Sequence, residues 1–262
     1  SVHRFSDVAT VDVGMVTGAN KFFLVDNATV KKHKLKRWSH PMFGRSEHCP
    51  GILYNKDQHQ ENSEQGLPSN FLWFDVNDIS ELPDNVLKYI QIGETENLHT
   101  RYKCRIRSPW FKVPSVYTTS IGMLKRAHNM PRLIYNEMGA YTTDTAYRIT
   151  TNNVSAKKLV YCFINSFTAL SSELEGRYYG GGVLELVPSE IERVYIPIPN
   201  KTRIAMKSLD KMIRNSPANE VLIHQDSKIL NDLGLSKNET MCIHNAWDKL
   251  RKRRQRSTNI SN

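Results

Sequence analysis

The stretch Gly176-Arg177-Tyr178-Tyr179-Gly180-Gly181-Gly182-Val183-Leu184-Glu185-Leu186 decides how the rest of the chain is read. It follows a segment of helical periodicity. Over 156–175, Leu159, Phe163, Phe167, Leu170 and Leu174 keep one face apolar, and Ser155 stands where a cap is needed. Gly176 is a helix stop, and three further glycines let the backbone turn back into a strand. A helix feeding a glycine turn and then a strand is a mixed α and β pattern. Arg177, Tyr178 and Tyr179 fall at its edge, where a planar or anionic group can meet them; packing back onto the helix is the plainer alternative.

Downstream, 183–198 is strand-like, interrupted by Pro188 and ended by Ile196-Pro197-Ile198-Pro199. The composition then changes to helix–loop–helix. Ser236-Lys237-Asn238-Glu239 matches a capping box and opens a helix carrying Met241, Trp247 and Leu250. Arg251-Lys252-Arg253-Arg254-Gln255-Arg256 ends it as a basic, solvated stretch, with a polar tail beyond that is expected to fray.

Upstream, 132–150 reads as strand and turn around Gly139-Ala140, with hydroxyls at Thr142, Thr143 and Thr145. The run Arg101-Tyr102-Lys103-Cys104-Arg105-Ile106-Arg107 alternates strictly. As a strand it puts Arg101, Lys103, Arg105 and Arg107 on one face and Tyr102, Cys104 and Ile106 on the other. Trp110, Phe111 and Lys112 follow. Cations that meet phosphates beside rings that stack make a nucleic-acid surface, although solvated arginines and a core Trp110 also fit. Ser80 is positioned to cap a short helix that buries Val86, Leu87 and Ile90 within the acidic segment 75–96. Residues 55–70 read as an exposed polar loop, Phe71–Phe74 as a strand, and 31–37 as a cluster of five cations. Residues 11–16, with Val11, Val13 and Val16, and 22–25 read as two short strands around Thr17-Gly18-Ala19-Asn20.

The expected fold is therefore α+β: a mainly antiparallel, β-rich domain over 1–200 with one long helix, and a small helical appendage over 201–262.

Composition narrows the function. Thirty-six basic residues against twenty-six acidic ones give a net charge of +10, which favours an anionic partner, nucleic acid being the commonest. No run of about 18 apolar residues exists, so no membrane partner is expected. The start, Ser1-Val2-His3-Arg4-Phe5, lacks the apolar core of a signal peptide and looks like a domain cut from something longer. Four scattered cysteines without a CxxC pair fit reduced thiols and a cytoplasmic setting. His33, His40, His48, Cys49 and His59 invite a zinc site, but their spacing lacks the paired ligands such sites use, and no metal is expected.

Catalytic patterns are missing. There is no GxSxG, P-loop, HExxH or GxGxxG, and Gly180–Gly182 lacks the Lys-Ser/Thr of a phosphate loop. Binding outranks catalysis on this reading, and no catalytic residue is assigned.

With these residues in view, the chain resembles the C-terminal half of the gamma-class N6-adenine DNA methyltransferases of bacterial restriction-modification systems. Four segments carry the likeness in order: Gly14 to Phe23, Arg101 to Pro114, Ala140 to Arg148, and Asn165 through Glu190. The resemblance covers roughly residues 8–200. It implies duplex DNA as partner, bacterial cytoplasm as location, and a catalytic methyltransferase domain, on the same or a separate chain, as the other half. That half would hold S-adenosylmethionine. The family's Asn/Asp-Pro-Pro-aromatic motif, which receives the flipped adenine, does not occur in this sequence. The chain alone is therefore expected not to methylate.

Under the same resemblance, Lys103, Arg105, Arg107 and Lys112 would neutralise phosphates. Thr17, Asn20, Lys21, Trp110, Thr143, Arg177, Tyr178 and Tyr179 complete the candidate DNA-binding set. The alternative is a non-enzymatic specificity or adaptor subunit whose C-terminal helices, through Trp247 and Leu250, dock a separate catalytic protein. A metal-dependent nuclease would need the acidic segment 75–96 as its carboxylate source.

Overall fold

A computed structural model describes residues 1–256 of the chain. Its centre is a five-stranded sheet in the order β2 (Ala9–Val13), β11 (Ala146–Thr151), β7 (Ile121–Leu124), β9 (Leu133–Asn136), β5 (Leu53–Tyr54). All pairs are antiparallel except β5 with β9. Ile149 of β11 pairs with Val11 on one side and Ile121 on the other, so one apolar row crosses the sheet.

A four-stranded sheet runs β10 (Tyr141–Thr142), β4 (Ser39–Phe43), β6 (Asn70–Leu72), β3 (Leu24–Val25). The stretch after Gly176 forms the hairpin β12 (Arg177–Tyr179) and β13 (Val183–Glu185), joined on its far side by β8 (Arg126–Ala127). Gly181 and Gly182 adopt positive φ at its tip, the backbone form that a side chain resists. Strands β1 (Val2–Arg4) and β14 (Tyr195–Pro197) pair as a ribbon, and a one-turn helix α1 (Phe5–Val8) leads from β1 into β2. The mixed α and β class and the predominance of antiparallel pairing agree with the sequence reading.

The apolar side chains separate into clusters. One joins the five-stranded sheet to the helices α7 (Ala156–Phe163), α8 (Ser166–Glu175), α10 (Met206–Asn215), α11 (Ala218–Ile229) and α12 (Lys237–Arg256). Leu209, Leu222, Ile229 and Trp247 lie in it beside Ile149 and Tyr161. The C-terminal helices therefore share the main core, and Trp247 is fully buried and offers no docking surface. The buried residues of a second cluster come from 15–113, between β2 and β7 in the chain. It contains α2 (Asn20–Phe23), α3 (Asn27–Lys32), α5 (Asp84–Thr95) and α6 (Tyr102–Arg105).

Several local expectations are corrected. Residues 22–23 are helical, because a helical turn lets the consecutive rings of Phe22 and Phe23 both be buried, whereas a strand would point them to opposite faces. Within 55–70, α4 (Lys56–Glu64) replaces the loop. Asn55 caps it, and Gln58 and Asn62 are buried and bonded to each other at 2.9 Å. Asp78, not Ser80, caps a 3-10 turn, and α5 starts after Pro83. The basic run 101–107 is no strand. Cys104 is buried at the centre of the helical turn α6, while Tyr102 and Ile106 are each 63% exposed.

The long helix 156–175 is two helices. Asn165 breaks it by accepting from Thr168 N at 2.8 Å and donating to Cys162 O at 2.6 Å, which caps α8 and closes α7. Leu174, on the expected buried face, is 69% exposed. Pro188 opens a one-turn helix, α9 (Pro188–Ile191), where its missing N–H is harmless. The basic end of α12 is also not simply solvated, because Arg254 is buried. The polar tail beyond Arg256 lies outside the described residues.

The first turn of α8 packs against α11 and α12 through a buried polar cluster. Asp226 accepts from Ser166 N at 2.7 Å, and Ser166 Oγ lies 2.9 Å from His244 Nδ1. Burial pushes the Asp226 carboxyl up to about 6 from 3.8, and pushes His244 down. A raised carboxyl is a proton bound more tightly in the fold than in the unfolded chain. Its contribution is greatest below about pH 4 and is lost as pH rises through about 6. Asp226→Asn keeps the acceptor for Ser166 N. It is expected to be near neutral at about pH 4 and to stabilise by about 1–3 kcal/mol at about pH 8. Urea unfolding of both proteins at the two pH values checks this. His244, present in both, has the opposite dependence and drops out of the difference.

Candidate nucleic-acid interface

The segment after β2 is held in place from both sides. Gly14 N donates to Ala146 O at 2.9 Å, Met15 N donates to Thr142 O at 2.9 Å, and Met15 pairs with Thr143. Thr17 is buried; its hydroxyl donates to Asn20 Oδ1 and accepts from Ala19 N at 3.2 Å. On the opposite side, Arg107 donates to Thr17 O and Val16 O, both at 2.7 Å. With its fork committed to these carbonyls, Arg107 positions the segment.

Two concavities border this segment. One, of about 380 Å³, is lined by Asn20, Lys21, Arg45, His48, Thr143 and Thr145 among others. Lys21 and Asn20 are exposed there, and Asn20 Nδ2 reaches Asp144 Oδ1 at 3.5 Å. Burial pushes His48 down to about 4, so it is neutral, and its Nδ1 accepts from Gly44 N at 3.1 Å. Among the described residues no three His, Cys, Asp or Glu side chains converge on a metal position.

The second concavity, of about 470 Å³, is lined by Val16, Lys103, Ile106, Arg107 and Arg148 among others, and no acidic side chain lines it. Arg148 is buried; it donates to Val13 O at 2.6 Å and Ser115 O at 2.7 Å and stacks 3.6 Å from the Tyr117 ring centre.

The structure thus brings Thr17, Asn20, Lys21, Thr143, Lys103 and Arg107 together around one segment. Arg105 stays on α6 beside Lys103, its guanidinium 5.7 Å from the Tyr102 ring. Other candidates lie outside both concavities. Lys112 is 3.6 Å from the Asp75 carboxylate and donates to Asn77. Trp110 packs among Phe22, Phe23 and Phe111 and donates to Glu94 at 3.2 Å. Arg177 is ion-paired with Glu190, and Tyr178 and Tyr179, 59% and 54% exposed, face solvent from edge strand β12 instead of covering α8. Sequence reasoning missed Arg45, Thr145 and Arg148. Arg148 had a local signal, as a cation amid the alternation of a strand, and Thr145 was one of the hydroxyls read between strands, whereas Arg45 had none.

The family model for the Type II methyltransferase M.Eco57I, C-terminal domain, matches residues 1–230. The chain belongs to this family. Relatives of this M.Eco57I-type C-terminal domain include the Type II methyltransferase M.AccI of Acinetobacter calcoaceticus, 23% identical over 195 residues. That alignment covers 72% of the chain and 35% of M.AccI, so the chain spans about a third of that relative's length. Among solved structures, the type IIG restriction endonuclease BpuSI superposes with a TM-score of 0.56 at 13% identity, covering 96% of this chain and 31% of the other. The type IIL restriction-modification enzyme MmeI, solved in complex with DNA, gives a TM-score of 0.53 at 11% identity over 94% of this chain and 36% of the other. At such identities the likeness is one of fold. The M.Eco57I-type domain described here has no helix, among the described residues, long and apolar enough to cross a membrane.

Proposed function

We propose that this chain recognises a specific sequence in duplex DNA, as the C-terminal part of a bacterial restriction-modification N6-adenine DNA methyltransferase. The observation that carries the proposal is the pair of concavities around Val16–Asn20, where exposed cations stand beside a fixed amide and hydroxyls. Lys21, Lys103 and Arg105 supply charge for phosphates, which positions the duplex. Asn20, whose oxygen is fixed by Thr17, is the candidate for a base edge, since an Asn amide matches adenine N6 and N7. The family membership and the likeness in fold to MmeI, solved in complex with DNA, support the reading. Adenine as the target rests on the sequence resemblance. The chain contains neither the glycine-rich loop nor the Asn/Asp-Pro-Pro-aromatic motif for S-adenosylmethionine chemistry. The proposal therefore assigns the cofactor and methyl transfer to a partner catalytic domain, on the same or a separate polypeptide.

Fluorescence anisotropy on a randomised duplex pool, titrated with salt and followed by sequencing of the bound fraction, tests it. Enrichment of a short motif with steep salt dependence is the expected result; absence of binding at low salt would sink the reading. Lys21→Ala and Lys103→Ala should each weaken binding to all sequences alike and flatten the log–log salt slope by about one. Asn20→Ala should instead relax the preference at one base pair.

A further inference from the structure

We infer that Tyr102 and Ile106 form a wedge that enters the base stack of a bound duplex, an inference that rests on the DNA-recognition reading above. Both side chains are 63% exposed, among the most exposed large apolar groups described. Their i, i+4 spacing across the turn α6 and its C-terminal cap puts them on one side of it. The turn is anchored from below, because Cys104 is buried between them with its Sγ 3.9 Å from Thr17 O. The apolar pair is therefore held out from a fixed support.

The surroundings select the partner. Lys103 Nζ and Arg105 Cζ lie 5.5 and 5.7 Å from the Tyr102 ring centre. Neither these two nor Arg101 forms an ion pair with a carboxylate among the described residues. Ile106 borders the concavity that Lys103, Arg107 and Arg148 line. An apolar protein surface would have to desolvate these cations without compensation. A duplex satisfies both parts: phosphates meet the cations, while an apolar side chain inserted at a base step unstacks it and opens the helix. Unstacking is also what a target base requires before it leaves the stack.

Duplexes of one sequence carrying an abasic site at each position in turn, or 2-aminopurine beside it, test the wedge on the full chain. Where unstacking is already done, binding is expected to tighten about tenfold at one step, with 2-aminopurine brightening there on the intact duplex. Tyr102→Ala with Ile106→Ala should reduce that preference to about one, and Tyr102→Phe should keep it. Arg105→Ala should weaken every duplex equally and leave the preference intact. Thermal melts establish that these exposed substitutions leave the fold unchanged. A wild-type chain that binds DNA with no preferred step, or a double variant that retains the preference, overturns the wedge alone. A wild-type chain that binds no duplex overturns the recognition reading and the wedge with it.

Discussion

Replacing Glu173 by alanine is expected to destabilise the protein by about 3–5 kcal/mol, because it strands a buried guanidinium. Arg254 and Glu173 side chains are 1% and 3% exposed and meet in a two-pronged pair, Nε to Oε2 at 3.0 Å and Nη2 to Oε1 at 2.8 Å. The remaining donors of Arg254 go to His128 O at 3.0 Å, Asn129 O at 3.2 Å and Gly182 O. All five guanidinium N–H groups thereby have acceptors, which is the condition under which burying a charge is tolerable. One residue near the end of α12 ties α8, the β8 region and the glycine hairpin together. Gly182 belongs to this arrangement, since a Cβ there would stand 2.9 Å from Gln255 Cα. Urea titration of Glu173→Ala checks the magnitude. Arg254→Met paired with Glu173→Leu should be much milder, since no charge is then left alone.

Gly14→Ala is expected to lower stability by about 3 kcal/mol, the upper part of the usual range for over-packing, and to abolish the proposed sequence preference. An added Cβ would lie 1.9 Å from Thr143 O and 2.6 Å from Ala146 O. Both contacts are main chain, so the backbone itself must move. The movement falls where Met15 pairs with Thr143, the join that sets Thr17 and Asn20 against the Thr143–Thr145 wall. Unfolding by denaturant measures the stability loss. The anisotropy assay at a temperature where the variant is folded separates displaced recognition residues from simple unfolding.

The candidate site was legible in part. The Thr17-Gly18-Ala19-Asn20 turn and Lys21 are visible as a short polar interruption, and Thr143 as a hydroxyl between strands. That Thr143 and Asn20 line one concavity is not legible, since more than a hundred residues and a separate hydrophobic cluster intervene between them. Arg107 shows the limit most plainly. As a residue of a strand it is a free cation, yet its two carbonyl acceptors lie about ninety positions away and make it a brace. Lys112 and Trp110 read as surface, and Asp75 and Glu94 in the acidic segment engage them.

By itself the sequence determined what depends on neighbours: the Ser236 cap, which bonds Glu239 as the local pattern requires, the hairpin at Gly180–Gly182, the strand at Leu133, the positive charge and the order of segments that carries the family likeness. The tertiary structure decided what depends on distant partners. Alternation over 101–107 yielded to a helical turn, because burying Cys104 under Thr17 leaves Tyr102 and Ile106 outside. One amphipathic helix became two, because Asn165 can cap α8 while Asp226, from α11, takes the N–H of Ser166. Local periodicity specifies which faces are apolar; only the packed chain specifies what each face meets.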